Sequence, residues 1–205
     1  CNSKELMNIL TEDEIEQIAL QTFEEQGYEI VNGISIERAY NEVVLTSRLV
    51  DAITKLNPNI TNDVRDEAVK NVLRVQHTTL LANNEAFHKL LTEGVDVKGR
   101  EGTENKTFKV WLMDFENPLN NDFVAVNQFT IVEKHTNKRP DVILFINGLP
   151  LVVIEIKNAT SENATIKNAF DQLQTYKQAI PTLFNYNSIL IVTDGWFAKA
   201  GTITS

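Results

Sequence analysis

Three charged side chains stand where a β-strand pattern leaves little room for charge. In the run Leu149 to Lys157 (LPLVVIEIK), alternation places Val152, Ile154 and Ile156 on one face and Val153, Glu155 and Lys157 on the other. A carboxylate and an ammonium two residues apart on an otherwise apolar strand are costly to desolvate unless they are paired or given a cation to bind. The preceding apolar run opens with Arg139-Pro140-Asp141, which puts a second carboxylate near the open end of the same hairpin. Asp141, Glu155, the backbone carbonyl of Ile156 and waters make the all-oxygen set that Mg²⁺ prefers, with Lys157 beside an attacking water. The same residues also read as a cross-strand ion pair on a solvated face, which does no chemistry.

A second pair of polar residues lies in Phe170 to Pro181 (FDQLQTYKQAIP), where Gln172 and Tyr176 are four apart and share one helix face. By itself this is also the pattern of a helix that turns a polar face to water and packs Phe170 and Leu173 below. Other chemistries find no support. His77, His88 and His135 lack metal-ligand spacing, the single cysteine (Cys1) makes no thiolate cage, and neither G-x-S-x-G nor G-x-G-x-x-G occurs. Gly94 and Gly99 have the spacing of a phosphate-binding loop, but Arg100-Glu101 stands where Lys and Ser or Thr are required.

The elements that must position these residues follow from periodicity. Thr11 and Glu14 read as a capping box, and Ile15, Ile18, Ala19 and Phe23 then recur on one helical face until Gly27. Further helical stripes run from Leu45 to Leu56, from about Asn62 to Val75, and through Phe87, Leu90 and Leu91 to Gly94. From Thr107 the pattern turns to strands: residues 107–115, 122–133 and 140–157, with Asn147-Gly148 as a hairpin turn. A helix from about Glu162 to Ala179 and a buried strand ending at Asp194-Gly195 follow, with strand-like residues again at Ile203 to Ser205. These elements predict an α/β fold with a central mixed β-sheet flanked by helices, in one domain with a helical front (1–94) and a sheet and active site (107–205). A two-residue turn at Asn147-Gly148 sets Asp141 opposite Ile154 and turns Glu155 away. A shared site therefore requires a one-residue bulge or a bend near Pro140.

The chain has 205 residues, 42% of them hydrophobic and 23% charged, enough apolar material for a sizeable core. No apolar run has the length of a membrane span and the first thirty residues lack the order of a signal peptide, so a cytoplasmic location is expected. A net charge of −9 argues against a general basic nucleic-acid surface, with Lys134, Lys138 and Arg139 beside the hairpin as a local exception. The start at Cys1 and the strand-like end suggest a piece of a longer polypeptide.

Taken together, P-D-x13-E-x-K followed by Q-x3-Y resembles the PD-(D/E)xK nuclease superfamily, in the branch with a Q-x-x-x-Y helix. RPDVILFINGLPLVVIEIKNAT, DQLQTYKQAIPTLFNYN and ILIVTDGWFAKAGTITS, with the opening TEDEIEQIALQTFEEQGYEIVNG and the stretch LVDAITKLNP, look like the N-terminal nuclease region of the R subunit of type I restriction enzymes. The resemblance covers nearly the whole chain, most thinly from Asn83 to Phe115. It implies a restriction-endonuclease-like fold and Mg²⁺-dependent cleavage of double-stranded DNA, with Mn²⁺ as a substitute. Asp141 and Glu155 would be metal ligands, Lys157 would orient or polarise the water, and Gln172 and Tyr176 would support the site and contact the DNA backbone. A carboxylate from the first helix joins the metal in this superfamily, and Glu16, or Glu12 one turn earlier, is the candidate.

The same resemblance implies ATP-driven translocation by motor domains beyond Ser205, ATP being a cofactor of the full-length subunit alone, and assembly with methylation and specificity subunits. At the tail the family pattern Asp-Gly-x-x-Ala-Arg-x-Gly-Ser is met by Asp194 to Thr202 with Lys199 in place of the arginine, which keeps the charge and loses the bidentate fork. A RecB-like nuclease of the same superfamily and a degenerate nuclease fold serving as a DNA clamp or subunit-docking module stand as alternatives.

Overall fold

The computed structural model describes residues 11–74, 76–157 and 166–205. The front carries α1 (Glu12–Glu25), β1 (Glu29–Asn32), α2 (Thr46–Leu56), α3 (Asn62–Leu73) and α4 (Leu80–Glu93). A ribbon of β2 (Val95–Glu101) and β3 (Glu104–Val110) precedes β4 (Phe123–Asn127), and a second ribbon pairs β5 (Ile131–Glu133) with β6 (Thr136–Lys138). Then come β7 (Val142–Ile146), β8 (Leu149–Ile156), α5 (Ile166–Ala179), the single turn α6 (Pro181–Phe184), β9 (Ile189–Thr193) and β10 (Ala198–Gly201).

A six-stranded sheet in the order β1-β4-β7-β8-β9-β10 is the centre of the molecule. It is mixed: β1 runs parallel to β4 and β8 parallel to β9, while the remaining neighbours are antiparallel. Alternation along the strands gives it two apolar faces. One is covered by α1, whose Ile15 and Leu20 pack on Ala125, Val142, Leu144, Ile154 and Ile156. The other packs on the remaining helices, with Phe129, Phe145, Leu149 and Val153 meeting Leu49, Ile53, Leu173 and Phe184. This is the mixed α/β architecture expected from the sequence.

The central hairpin turns through two residues with positive φ, Asn147 at 53° and Gly148 at 77°, as a right-handed twist between adjoining strands demands. Glycine is required at the second position for space as well, since a Cβ there would lie 2.4 Å from the Leu45 carbonyl oxygen. The Gly148 carbonyl accepts from Leu45 N at 2.9 Å, which seats the turn on the start of α2. Asn147 is buried, and its side chain accepts from Asp122 N at 2.8 Å and donates to Leu112 O at 2.9 Å.

The ladder of this hairpin is irregular. Ile146 faces Leu149 and Phe145 faces Pro150, but Leu144 then faces Val152, so Leu151 is an extra residue. Past this bulge Val142 faces Ile154, and Asp141, one residue before, comes level with Glu155 on the same face.

Several boundaries differ from the periodicity. The helical front includes β1, a four-residue strand too short to show a pattern. Of the phosphate-loop-like glycines, Gly94 caps the end of α4 and Gly99 belongs to the β2-β3 ribbon. The expected strand over 107–115 stops at Val110, and the run over 122–133 divides into β4 and β5 where Gln128 takes a φ of 55°. The last strand is Ala198–Gly201, upstream of the expected Ile203 to Ser205, because Thr202 and Ser205 close a turn with a 3.0 Å backbone hydrogen bond. Cys1, Val75 and the expected helix start at 162–165 lie outside the described residues.

Candidate active site

One end of the sheet gathers the chemistry-bearing residues because four of its strands run towards that end and β7 runs away from it. β1, β4, β8 and β9 end there and β7 begins there, which sets Asn32, Asn127, Asp141, Glu155 and Thr193 along one rim. Glu155 sits at the end of β8 with no solvent exposure. Lys157 follows directly, and its amide donates to Thr193 O at 2.8 Å, which extends the parallel pairing of β8 with β9.

The side chains converge. Lys157 Nζ donates to Glu155 Oε1 at 2.9 Å and lies 3.9 Å from Glu12 Oε2. Asp141 Oδ2 accepts from the Ile156 amide at 2.6 Å. Tyr176, buried on α5, receives a 2.5 Å hydrogen bond from Gln172 Nε2 and reaches towards the Arg139 carbonyl. The helix spacing read from the sequence therefore delivers a coupled Gln172-Tyr176 pair to the site. The ion-pair reading is correct for Lys157 and Glu155 as a contact. Its solvated face is not what the structure shows, since Glu155 is enclosed.

Electrostatics mark the cluster as short of positive charge. Burial, with the neighbouring Asp141 charge, pushes the Glu155 carboxyl up to about 8 despite the attraction of Lys157. Burial likewise raises Asp141, although the Ile156 amide and Lys157 oppose the shift and the charges of Glu16 and Glu12 add to it. Lys157 is raised: its own burial acts downward, and Glu155, Asp141 and Glu12 outweigh it. Tyr176 is raised too, first by burial and then by Glu155. Glu155 Oε2 has no hydrogen-bond partner among the described residues, although the Tyr176 hydroxyl lies close enough to favour its charge. One oxygen of a buried carboxylate is thus left without a hydrogen bond among the described residues.

The first helix brings both of its candidate carboxylates near the site, where their charges act on Asp141. Glu16 is nearly buried and its Oε1 accepts from Asn127 Nδ2 at 2.8 Å, whereas Glu12 approaches Lys157. Among the described residues no three His, Cys, Asp or Glu side chains form a ready cluster for a metal. What fits a hard divalent cation is the pair Asp141 and Glu155 with its orphaned oxygen. Mg²⁺ commonly binds through one or two carboxylates and keeps several waters. Asn127 went unread because its signal, a polar residue ending an apolar strand, is shared by most strands.

The model of the family described as "Type I restriction enzyme R protein N terminus" matches residues 9–205. The chain is 39% identical over 206 residues to the type I restriction enzyme HindI endonuclease subunit of Haemophilus influenzae, covering 96% of this chain and 20% of that protein. It is 33% identical over 200 residues to the putative type I restriction enzyme MjaIXP endonuclease subunit of Methanocaldococcus jannaschii, covering 93% and 19%. The chain thus spans about a fifth of the length of these curated relatives.

Proposed function

This chain belongs to the family of type I restriction enzyme R protein N termini, and from that premise we propose that it is the nuclease domain of such a subunit, hydrolysing DNA phosphodiesters with Mg²⁺ or Mn²⁺. The observation that carries the proposal is the buried Glu155, facing Asp141, paired with Lys157 and left with an unpartnered oxygen. The relatives are named as endonuclease subunits, which supports the same reading. A core running from Val43 to Val192 supports treating 1–205 as one domain.

Asp141 and Glu155 would hold the cation, with the Ile156 backbone between them. A bound divalent ion would neutralise charge on the phosphate and lower the pKa of a coordinated water. The Ile156 amide fixes Asp141 through Oδ2, so the other oxygen keeps a set direction. Lys157 Nζ, anchored on Glu155 Oε1, orients the attacking water and donates to the oxygen on which charge develops. Gln172 holds the Tyr176 hydroxyl against the site wall, and the pair would support the site and contact the DNA backbone.

ATP-driven translocation is assigned to other parts of an R protein, since the glycines with phosphate-loop spacing serve as the cap of α4 (Gly94) and a residue of the β2-β3 ribbon (Gly99). Methylation and specificity subunits are the proposed partners, and the cytoplasm the proposed location. No helix among the described residues is long and apolar enough to cross a membrane. The test is a calorimetric titration with Mn²⁺ and with Mg²⁺, run beside plasmid cleavage, on the native chain and on Glu155→Ala. Binding and cleavage lost together in the variant support the nuclease. A native chain that binds neither ion would leave a docking module as the better reading.

A further inference from the structure

The register of three strands places a second feature beside the site. Glu155 of β8 pairs with Val192 of β9, and Val192 pairs with Lys199 of β10. Residues abreast in a ladder share a face, so Lys199 lies on the α5 side of the sheet with Glu155, two strand spacings or about 10 Å away. There a groove of about 470 Å³ runs between α5 and the β9-β10 edge. Its floor is apolar, made by Leu173, Leu190 and Val192, and Phe170, 39% exposed, stands on its wall. Lys199 and Lys167 line it, both exposed and neither in an ion pair among the described residues. In a chain of net charge −9 two unpaired ammonium groups over an apolar trough are an unusual combination.

We propose that this groove binds one unpaired nucleotide of the DNA strand beside the phosphate to be cut. The chemistry fits each part. Lys199 and Lys167 meet phosphate oxygens, while a base lies on the Leu173, Leu190 and Val192 floor and stacks on Phe170. An apolar floor has nothing to offer a base inside a duplex, whose faces are already stacked, so the occupant is a nucleotide in single-stranded form. The inference rests on the DNA-cleaving reading of the neighbouring carboxylates, with which the groove shares a sheet face. It also gives Lys199 a use that needs a point charge and no bidentate fork.

The test is fluorescence anisotropy of a labelled thymidine oligonucleotide and of a blunt duplex of equal length, in low salt with a chelator so that no cleavage occurs. The 205-residue chain is compared with Lys199→Glu, Lys167→Glu, Phe170→Ala and Lys199→Arg, each checked for an unchanged melt. The single strand should bind more tightly than the duplex. Loss of the stacking ring should weaken it by about tenfold, the charge reversals should weaken it comparably, and Lys199→Arg should retain binding. Equal binding of strand and duplex with neutral variants would overturn the proposal. So would self-association of the native chain that Phe170→Ala abolishes, because the groove would then be a protein contact. Asp141→Ala separates the two readings, since it should stop plasmid cleavage with metal and leave single-strand binding unchanged. Plasmid cleavage with neutral groove variants would sink the groove alone. Groove binding in a chain that never cuts would sink the nuclease alone.

Discussion

Glu155 concentrates the cost of the site in one side chain. Its carboxyl is raised to about 8 in the fold against an ordinary value of 4.5, so the native state binds its proton more tightly than the unfolded chain does. The associated stability is complete below about pH 4.5 and is lost as pH rises through about 8. Asp141 is shifted in the same direction by burial. Without metal, the chain is therefore expected to resist urea better near pH 5.5 than near pH 8.5, and Glu155→Gln should flatten that slope. Urea melts in chelator at the two pH values check this, and a native slope of the opposite sign would contradict the burial argument. Tyr176→Phe keeps the ring packed and deletes the hydroxyl that Gln172 holds. Cleavage should fall by a smaller factor than in Lys157→Ala, with the melting temperature nearly unchanged, as single-turnover rates would show.

At the level of elements the decisive feature is the bulge at Leu151. A regular ladder from the Asn147-Gly148 turn sets Asp141 against Ile154 and sends the two carboxylates to opposite faces. One extra residue reverses that for every position beyond it. The turn depends on Gly148 for both its dihedral and its space against Leu45. Gly148→Ala is expected to destabilise the chain by on the order of 2–4 kcal/mol, through strain at positive φ and overpacking, measured as a lower urea midpoint. A variant as stable as the native chain would show that the hairpin can shift off α2. Asn127, at the end of β4, links this rim to α1 through Glu16.

For the whole molecule, net charge sets the expected behaviour with DNA. A chain of −9 repels the phosphate backbone as a body, and only local ammonium groups oppose that. Weak cleavage of plasmid without sequence preference is expected, with a shallower salt dependence than a basic nuclease shows. Plasmid incubated with Mn²⁺ or Mg²⁺ and no nucleotide checks this. Efficient cutting at one fixed position would assign base reading to the chain itself and remove the division of labour with specificity subunits.

The amino-acid order alone determined the kinds of element and the charges they carry. The Thr11 capping box, the Asn147-Gly148 turn and the Gln172-Tyr176 spacing are local signals, and each appears as read because its partners lie within a few residues. The demand for an irregularity, a bulge or a bend near Pro140, was also legible, since a regular ladder cannot join Asp141 and Glu155. Tertiary structure decided that the bulge falls at Leu151, that Glu155 is enclosed, and that Asn127 holds Glu16 while Glu12 approaches Lys157. It also decided that β1 and β10 are strands, because such short segments owe their conformation to the neighbour they pair with. These outcomes depend on contacts between residues far apart in the chain, whose energies no local pattern records.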